Sequence, residues 1–285
     1  MRKLKAIIDL TRIDHGIMLC IAILIGSLIS GGAIDIEKYI FAFLTALMLE
    51  IGTFSLNDYF DYEVDKKNKR MDRPLVRGDI SPTTALAIYF IASPVGIVSS
   101  LMVNKTCFII ALISLIFATL YDVKLKEIKI VGNFYIAFMM AIPFIFGAVA
   151  VRKEVPVIIY FFAFLAFFSG VGREIIKDVM DFEGDKLRKT KSFPTYLGIK
   201  KANLVASIFI ISAVILSFLP FLVNVDKRFY LNPFFLIVLF LSDSLFIYSI
   251  YFLYKDEYEK CRKLTLLAMI FGLFAFLAGA TLPIK

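Results

Sequence analysis

Two short segments hold the residues best suited to chemistry. In "NDYFDYEVDKKNK", residues 57 to 69, Asp58, Asp61 and Asp65 follow Asn57 at intervals of three and four. In "KDVMDFEGDKLRK", residues 177 to 189, Asp178, Asp181 and Asp185 repeat that spacing. On a helix of 3.6 residues per turn, each trio falls within about 60° of arc and forms one acidic stripe. Carboxylates so spaced repel one another. Both trios also follow apolar runs, at the end of a helix where its dipole disfavours negative charge. Such stripes call for a counter-charge. An all-oxygen donor set suits a hard divalent cation, and Mg2+ takes one or two carboxylates and completes its shell with water and phosphate oxygens. Two stripes facing each other would hold a metal-bridged diphosphate between them. The structural alternative, lysines satisfying the carboxylates as surface ion pairs, explains one cluster more easily than two matched ones.

Lys66, Lys67, Arg70, Arg73 and Arg77 follow the first stripe, and Arg173, Lys177 and Lys186 surround the second. Arg offers phosphate a bidentate fork and Lys a point charge. Arg73, in "DRPLVRG" at the turn closing the first motif, and Lys177, one turn before Asp181, are the expected phosphate ligands. Glu174 extends the second stripe by a turn. Glu50 and Asp243 lie inside apolar runs, where a carboxylate costs roughly 2.5 to 3.5 kcal/mol to insert. Each is a candidate for function or for a hydrogen bond tying helices together. No G-x-S-x-G elbow, Walker loop, dinucleotide fingerprint or Cys with a His partner is found, and His15 is the single histidine. Covalent nucleophilic and histidine-based chemistry are thereby disfavoured. Metal-assisted loss of diphosphate needs neither.

The elements that position these residues are membrane helices. The 285 residues are 60% hydrophobic with a mean hydropathy of +0.82, which marks an all-α integral membrane protein. Thirty Phe and no Trp leave any interfacial aromatic belt to the 13 Tyr. Cys20, Cys107 and Cys261 are scattered through apolar runs and read as packing residues. Apolar stretches near the length that spans about 30 Å of hydrocarbon fall at about 13–31, 38–56, 82–103, 106–120, 130–151, 155–171, 203–223, 231–254 and 265–283. The first reads as a retained helix rather than a signal peptide.

The N-terminus and the even-numbered loops carry 25 of the 32 Lys and Arg. This bias puts that face, the N-terminus and both acidic motifs in the cytoplasm and the C-terminus outside. It also accounts for the net charge of +8 without nucleic acid.

A shift of 120 residues aligns Asp58, Asp61, Glu63, Asp65, Lys66 and Lys69 with Asp178, Asp181, Glu183, Asp185, Lys186 and Lys189, and then Pro74 and Gly78 with Pro194 and Gly198. The shift spans four helices, so both motifs leave the membrane on one side. The expected architecture is a single domain over 1–285 of two parallel four-helix repeats, about 13–120 and 130–254, plus a ninth helix at about 265–283.

"NDYFDYEVD" with "DRPLVRGDIS", "LYDVKLKEIKIVGN", "REIIKDVMDFEGDK" and "SFPTYLGIKKA" together resemble the UbiA superfamily of intramembrane prenyltransferases, in order and over nearly the whole chain. "LTRIDHGIML" and "REIIKDVMDFEGD" resemble most closely its archaeal digeranylgeranylglyceryl phosphate synthases. The resemblance implies nine helices around a central cavity and a prenyl diphosphate whose chain lies among them. It implies Mg2+ held by Asn57, Asp58, Asp61 and Asp65 and by Asp178, Asp181 and Asp185. Arg12 and Tyr121 join Arg73, Arg173 and Lys177 as implied diphosphate ligands. The family's Tyr-x-x-x-Lys element meets Leu125 here, with Lys124 and Lys126 on either side. Either lysine is then the candidate.

The implied reaction passes a geranylgeranyl group from its diphosphate to the glycerol hydroxyl of geranylgeranylglyceryl phosphate, in archaeal membrane phospholipid synthesis. Ionisation is metal-assisted, with no covalent nucleophile, in a water-poor pocket. The acceptor's phosphate calls for a second cationic pocket, for which Arg77, Lys124 and Lys126 are available. A UbiA-type enzyme with an aromatic quinone precursor as acceptor is the near alternative. A transporter is the remote one, but it predicts acids near the bilayer midplane rather than at one end of their spans.

Overall fold

The computed structural model describes residues 2–31, 35–67, 69–126, 128–188 and 190–282. Lys189 of the second motif and residue 283, at the end of the expected ninth helix, lie outside them. Within them the chain is helical, without strands: α1 (Arg2–Thr11), α2 (Ile13–Ser30), α3 (Ile36–Lys67), α4 (Pro82–Val103), α5 (Lys105–Leu120), α6 (Lys129–Val151), α7 (Val157–Met180), α8 (Phe182–Arg188), α9 (Phe193–Leu197), α10 (Ile199–Ser217), α11 (Leu219–Leu222), α12 (Pro233–Leu253) and α13 (Tyr258–Thr281). A π-helical turn, Tyr121–Leu125, prolongs α5. Eight helices among the described residues are long and apolar enough to cross a bilayer. The bent pair Lys5–Thr11 and His15–Ser30, meeting at 52°, makes a ninth span if counted as one.

Several helix starts follow from local chemistry. Ser81 accepts a hydrogen bond from the Thr84 N–H, Asn104 from that of Cys107, and Asn232 from those of Phe234 and Phe235. Each cap satisfies donors that the first helical turn leaves open, and Pro82 and Pro233 occupy first-turn positions where no N–H is needed. At the N-terminus, Arg12 takes a left-handed conformation (φ 45°) that turns α1 away from α2. Ala6 and Leu10 of α1 are then buried against Leu75 and Ile80 of the loop after the first acidic motif and against Ala85 of α4.

The two motifs do not share one helical form. α3 runs past the apolar stretch that ends near residue 56, on to Lys67, and carries the whole first trio. The expectation of a matching straight stripe at 178 to 185 is corrected. α7 stops at Met180, Asp181 leaves helical geometry (φ −90°, ψ 3°), and α8 begins at Phe182. Gly184, a poor helix former, stands where the first motif has Val64. As a result the Asp181 side chain is 60% exposed, while those of Asp178 and Asp185 are buried.

α2 packs on α3 and α6. From α3 the contacts run to α4 and α5, from α6 to α7, from α7 to α10 and from α10 to α12, and α13 closes against α12, α7 and α2. Lipid tails supply no hydrophobic drive between membrane helices, so close packing through small residues does that work. At the α2–α6 crossing a Cβ on Gly26 would run into the Phe144 carbonyl, and one on Gly147 into that of Ile23. Buried Phe144, Phe162, Phe229, Phe235 and Phe276 fill the end of the bundle away from the acidic motifs, with the Phe162 and Phe276 rings stacked at 3.9 Å. Phe90, Ile91, Val98, Ile215, Ile237 and Phe240 face outward. Cys107 and Cys261 are buried and, like Cys20, unbridged.

Overpacking a backbone contact costs about 1 to 3 kcal/mol or more. Gly147→Val is therefore expected to lower the unfolding temperature of the detergent-solubilised protein by several degrees. Gly184→Ala, with open space around the added Cβ, is the control, and leaves it unchanged or slightly higher.

Candidate active site

Asn57, Asp61 and Asp65, on α3, line a cavity of about 1280 Å³, and Asp58 does not. Asp58 keeps its place on the helical stripe but lies beneath the cavity wall, 2% exposed. There its Oδ1 accepts from Arg12 Nη2 (3.2 Å) and Arg73 Nη1 (3.1 Å). Arg73 also brings Nε to 3.4 Å from Asp65 Oδ2, so a single guanidinium ties together two carboxylates seven residues apart. Arg12 lies 4.1 Å over the Phe54 ring. Both arginines reach the cavity.

The loop that holds Arg73 is itself pinned. Arg70 grips Asp72 through two bonds of 2.9 and 2.8 Å, and this fork, working against burial, lowers the Asp72 carboxyl to about 2. Arg77 binds Asp79, Asp9 and the carbonyls of Met71 and Asp72. Arg77 does not line the cavity. Its expected availability to an acceptor phosphate is corrected: its donors are engaged in holding the loop to α1.

The π turn sets Lys124 and Lys126 in different surroundings. An α-helix brings residue i+4 back to the face of residue i, whereas i→i+5 bonding takes one residue more. Lys126, five after Tyr121, therefore comes to the cavity side, where Nζ is 2.5 Å from Asp61 Oδ2 and 4.0 Å from Asp122 Oδ1. Lys124 also borders the cavity but is exposed. Tyr121 packs on the bare backbone of Gly132, with its ring 5.2 Å from that of Tyr135. Asn57 Nδ2 donates to Asp122 Oδ1 at 2.8 Å, which joins α3 to the π turn.

Around the second motif the central cation is Lys129, the first residue of α6. Its Nζ lies 3.5 Å from Asp178, 3.5 Å from Asp181 and 2.9 Å from Asp185. Asn133, one turn on, donates to Asp178 Oδ2 at 2.7 Å. Lys177 binds Glu174 at 2.6 Å, and Arg173 lies 3.5 Å from the other Glu174 oxygen. All of these residues line the same cavity as Asp61 and Asp65.

Both acidic motifs thus border one chamber. Its other walls are apolar and include Leu115, Met139, Phe144 and Phe246. Glu50 and Asp243 also border it, and Asp243 accepts a 2.8 Å bond from Ser217. Lys66, Lys67 and Lys186 are exposed and take no part in the walls. Sequence reasoning missed Asp122, Lys129, Asn133 and Tyr135. Two signals were present: Asp122 and Lys126 are four apart, as are Lys129 and Asn133, which places each pair on one helix face.

The UbiA prenyltransferase family pattern matches residues 19–279. The chain belongs to the UbiA prenyltransferase family. The digeranylgeranylglyceryl phosphate synthase of Archaeoglobus fulgidus is 43% identical over 98% of this chain and 96% of its own length. A solved structure of a digeranylgeranylglyceryl phosphate synthase is 35% identical, with a TM-score of 0.74 over 98% of this chain and 99% of that one. A more distant UbiA homolog from Archaeoglobus fulgidus, solved with GPP and Mg2+, shares 17% identity and a TM-score of 0.69 over 97% of this chain and all of its own. As a UbiA-family protein, the chain is a multi-pass membrane prenyltransferase.

In this UbiA chamber the ion pairs separate the two lysines. Lys126→Met, which leaves Asp61 and Asp122 without their cation, is expected to cut prenyl transfer by about 100-fold, against a few-fold for Lys124→Met. Initial rates with labelled prenyl diphosphate measure both.

Proposed function

We propose that the protein transfers a geranylgeranyl group from geranylgeranyl diphosphate to the glycerol hydroxyl of geranylgeranylglyceryl phosphate, with Mg2+ as cofactor. The observation that carries this reading is one membrane-embedded chamber bordered by two acidic motifs at one end and by apolar side chains beyond. At about 1280 Å³ it exceeds the range of about 300 to 1,000 Å³ common for small-ligand pockets, as a long-chain donor and a lipid acceptor require.

The donor set fits Mg2+. Asp61, Asp65, Asp178, Asp181 and Asp185 are hard oxygen ligands, Asn57 adds an amide oxygen, and the buried Asp185 Oδ2 makes no hydrogen bond. Among the described residues no three such groups converge on one point, as suits an ion that takes one or two carboxylates from each side. Mg2+ bound there would supply Lewis-acid neutralisation of the departing diphosphate.

The chain's own residues do the rest. Arg12, Arg73, Lys126 and Lys177 border the chamber beside the carboxylates and present cations to the diphosphate oxygens. Tyr121 and Tyr135 wall the polar end, where their faces stabilise positive charge on the allylic carbon. The apolar walls beyond exclude the water that would otherwise capture it. Arg173 is 7% exposed, and its Nε, buried within the chamber wall, has no hydrogen-bond partner. It takes over the role of acceptor-phosphate ligand from Arg77. Glu174 orients Lys177 and Arg173.

The same reading makes the chain one domain of two parallel repeats, 13–120 and 130–254, with a ninth helix at 265–283. The basic face and the chamber mouth are cytoplasmic, and the C-terminus is outside. The recurrence of the helix neighbours α2–α3–α4–α5 as α6–α7–α10–α12 supports the repeat.

Purified protein is expected to convert labelled geranylgeranyl diphosphate and geranylgeranylglyceryl phosphate to the ether in Mg2+ and to stop on chelation. Asp61→Asn and Asp181→Asn each lose about 100-fold or more. Equal or faster transfer to an aromatic quinone precursor overturns the acceptor assignment.

A further inference from the structure

Lys129 has a position that charge topology alone does not explain. It opens α6, where the helix dipole disfavours a cation, yet its ammonium lies among all three carboxylates of the second motif, at 3.5, 3.5 and 2.9 Å. These carboxylates come from two helices and the break between them: Asp178 lies in the last turn of α7, Asp181 forms the break and Asp185 sits in α8. Lys129 is their single shared cation among the described residues. The first motif is served differently. Arg73, from the loop that directly follows it, bridges Asp58 and Asp65. The position 120 residues on from Arg73 is Phe193, so no arginine stands at the equivalent place and the cation shared by the second motif comes from α6. A main-chain bond from the Ile130 N–H to the Lys191 carbonyl (3.2 Å) holds the start of α6 against the loop beyond α8.

The geometry assigns to Lys129 the role of a tethered counter-ion that competes with the divalent cation for the second acidic motif. With no metal bound, its ammonium offsets part of the charge of Asp178, Asp181 and Asp185 and ties α6 to both sides of the α7–α8 break. When a divalent cation enters, the same oxygens become its ligands and the ammonium must withdraw from them. Two positive centres cannot share three carboxylates at these distances without strong repulsion. Lys129 therefore weakens metal binding at the second motif in the absence of substrate. This inference rests on the Mg2+-dependent reading above.

The test is Mn2+ binding by the full-length protein in detergent without prenyl substrate, followed by the electron paramagnetic resonance signal of free Mn2+, together with thermal unfolding in EDTA and at saturating Mn2+. Lys129→Met is expected to bind Mn2+ about tenfold more tightly than wild type, since removal of the competing charge frees the carboxylates that the ion takes as ligands. In EDTA it unfolds at a lower temperature than wild type, and saturating Mn2+ removes that deficit by mass action. Lys129→Arg, which keeps the charge, stays within about threefold of the wild-type affinity. Should Lys129→Met fold too poorly to assay, Lys129→Gln carries the same comparison. A neutral variant that binds Mn2+ as wild type does, or more weakly, while matching its unfolding temperature at saturating Mn2+, overturns the proposal. If wild type and variants alike bind no Mn2+, it is the metal-dependent reading itself that fails.

Discussion

The structure depends on charge balance within two carboxylate ladders at the edge of a low-dielectric bundle. Left alone, each ladder repels itself and opposes the dipole of the helix that carries it. Four cations, Arg12, Arg73, Lys126 and Lys129, reach the ladders from elsewhere in the chain. Each contact also fixes tertiary geometry. Arg12 holds the junction of α1 and α2 to α3, Arg73 folds the following loop back over the motif, Lys126 joins the π turn to α3, and Lys129 joins α6 to α7 and α8. The residues that make anions tolerable here are therefore the same ones that shape the mouth of the chamber.

Beneath that mouth the constraints change from charge to packing. α2 and α6 meet backbone to backbone at Gly26 and Gly147, and the phenylalanine cluster closes the far end. Between the charged mouth and that closed end lies a long space bordered by apolar side chains, which suits an isoprenoid chain and keeps water from the reacting carbon. Asp243, bound to Ser217 within this space, fits the helix-tying role considered for it. The carboxylate costs less there because a hydroxyl meets it.

Much of this arrangement was legible from local pattern. Runs of about twenty apolar residues mark the spans, and Ser81-Pro82 and Asn232-Pro233 mark helix starts through capping chemistry. The spacing of Asp61 and Asp65, and of Asp178 and Asp185, marks carboxylates that share a helix face or nearly so. The reading failed where one residue altered the local geometry. Gly184 replaces the Val64 of the first motif and the second ladder breaks at Asp181. A π turn adds a residue after Tyr121, so that Lys126 rather than Lys124 reaches Asp61. Asp58, adjacent to Asn57, turns beneath the wall instead of into the chamber.

The sequence by itself determined the membrane class, the number and order of spans, the duplicated motif and the oxygen-rich chemistry. These follow from composition and from periodicities of a few residues, which act along a single helix. Only the tertiary structure decided which cation meets which carboxylate, that Arg77 is spent on its own loop, and that Asp122, Lys129 and Asn133 belong to the site. Those pairings join residues such as Asn57 and Asp122, 65 positions apart. They arise from which helix faces meet, and close backbone packing at a few glycines governs that meeting more than any local preference.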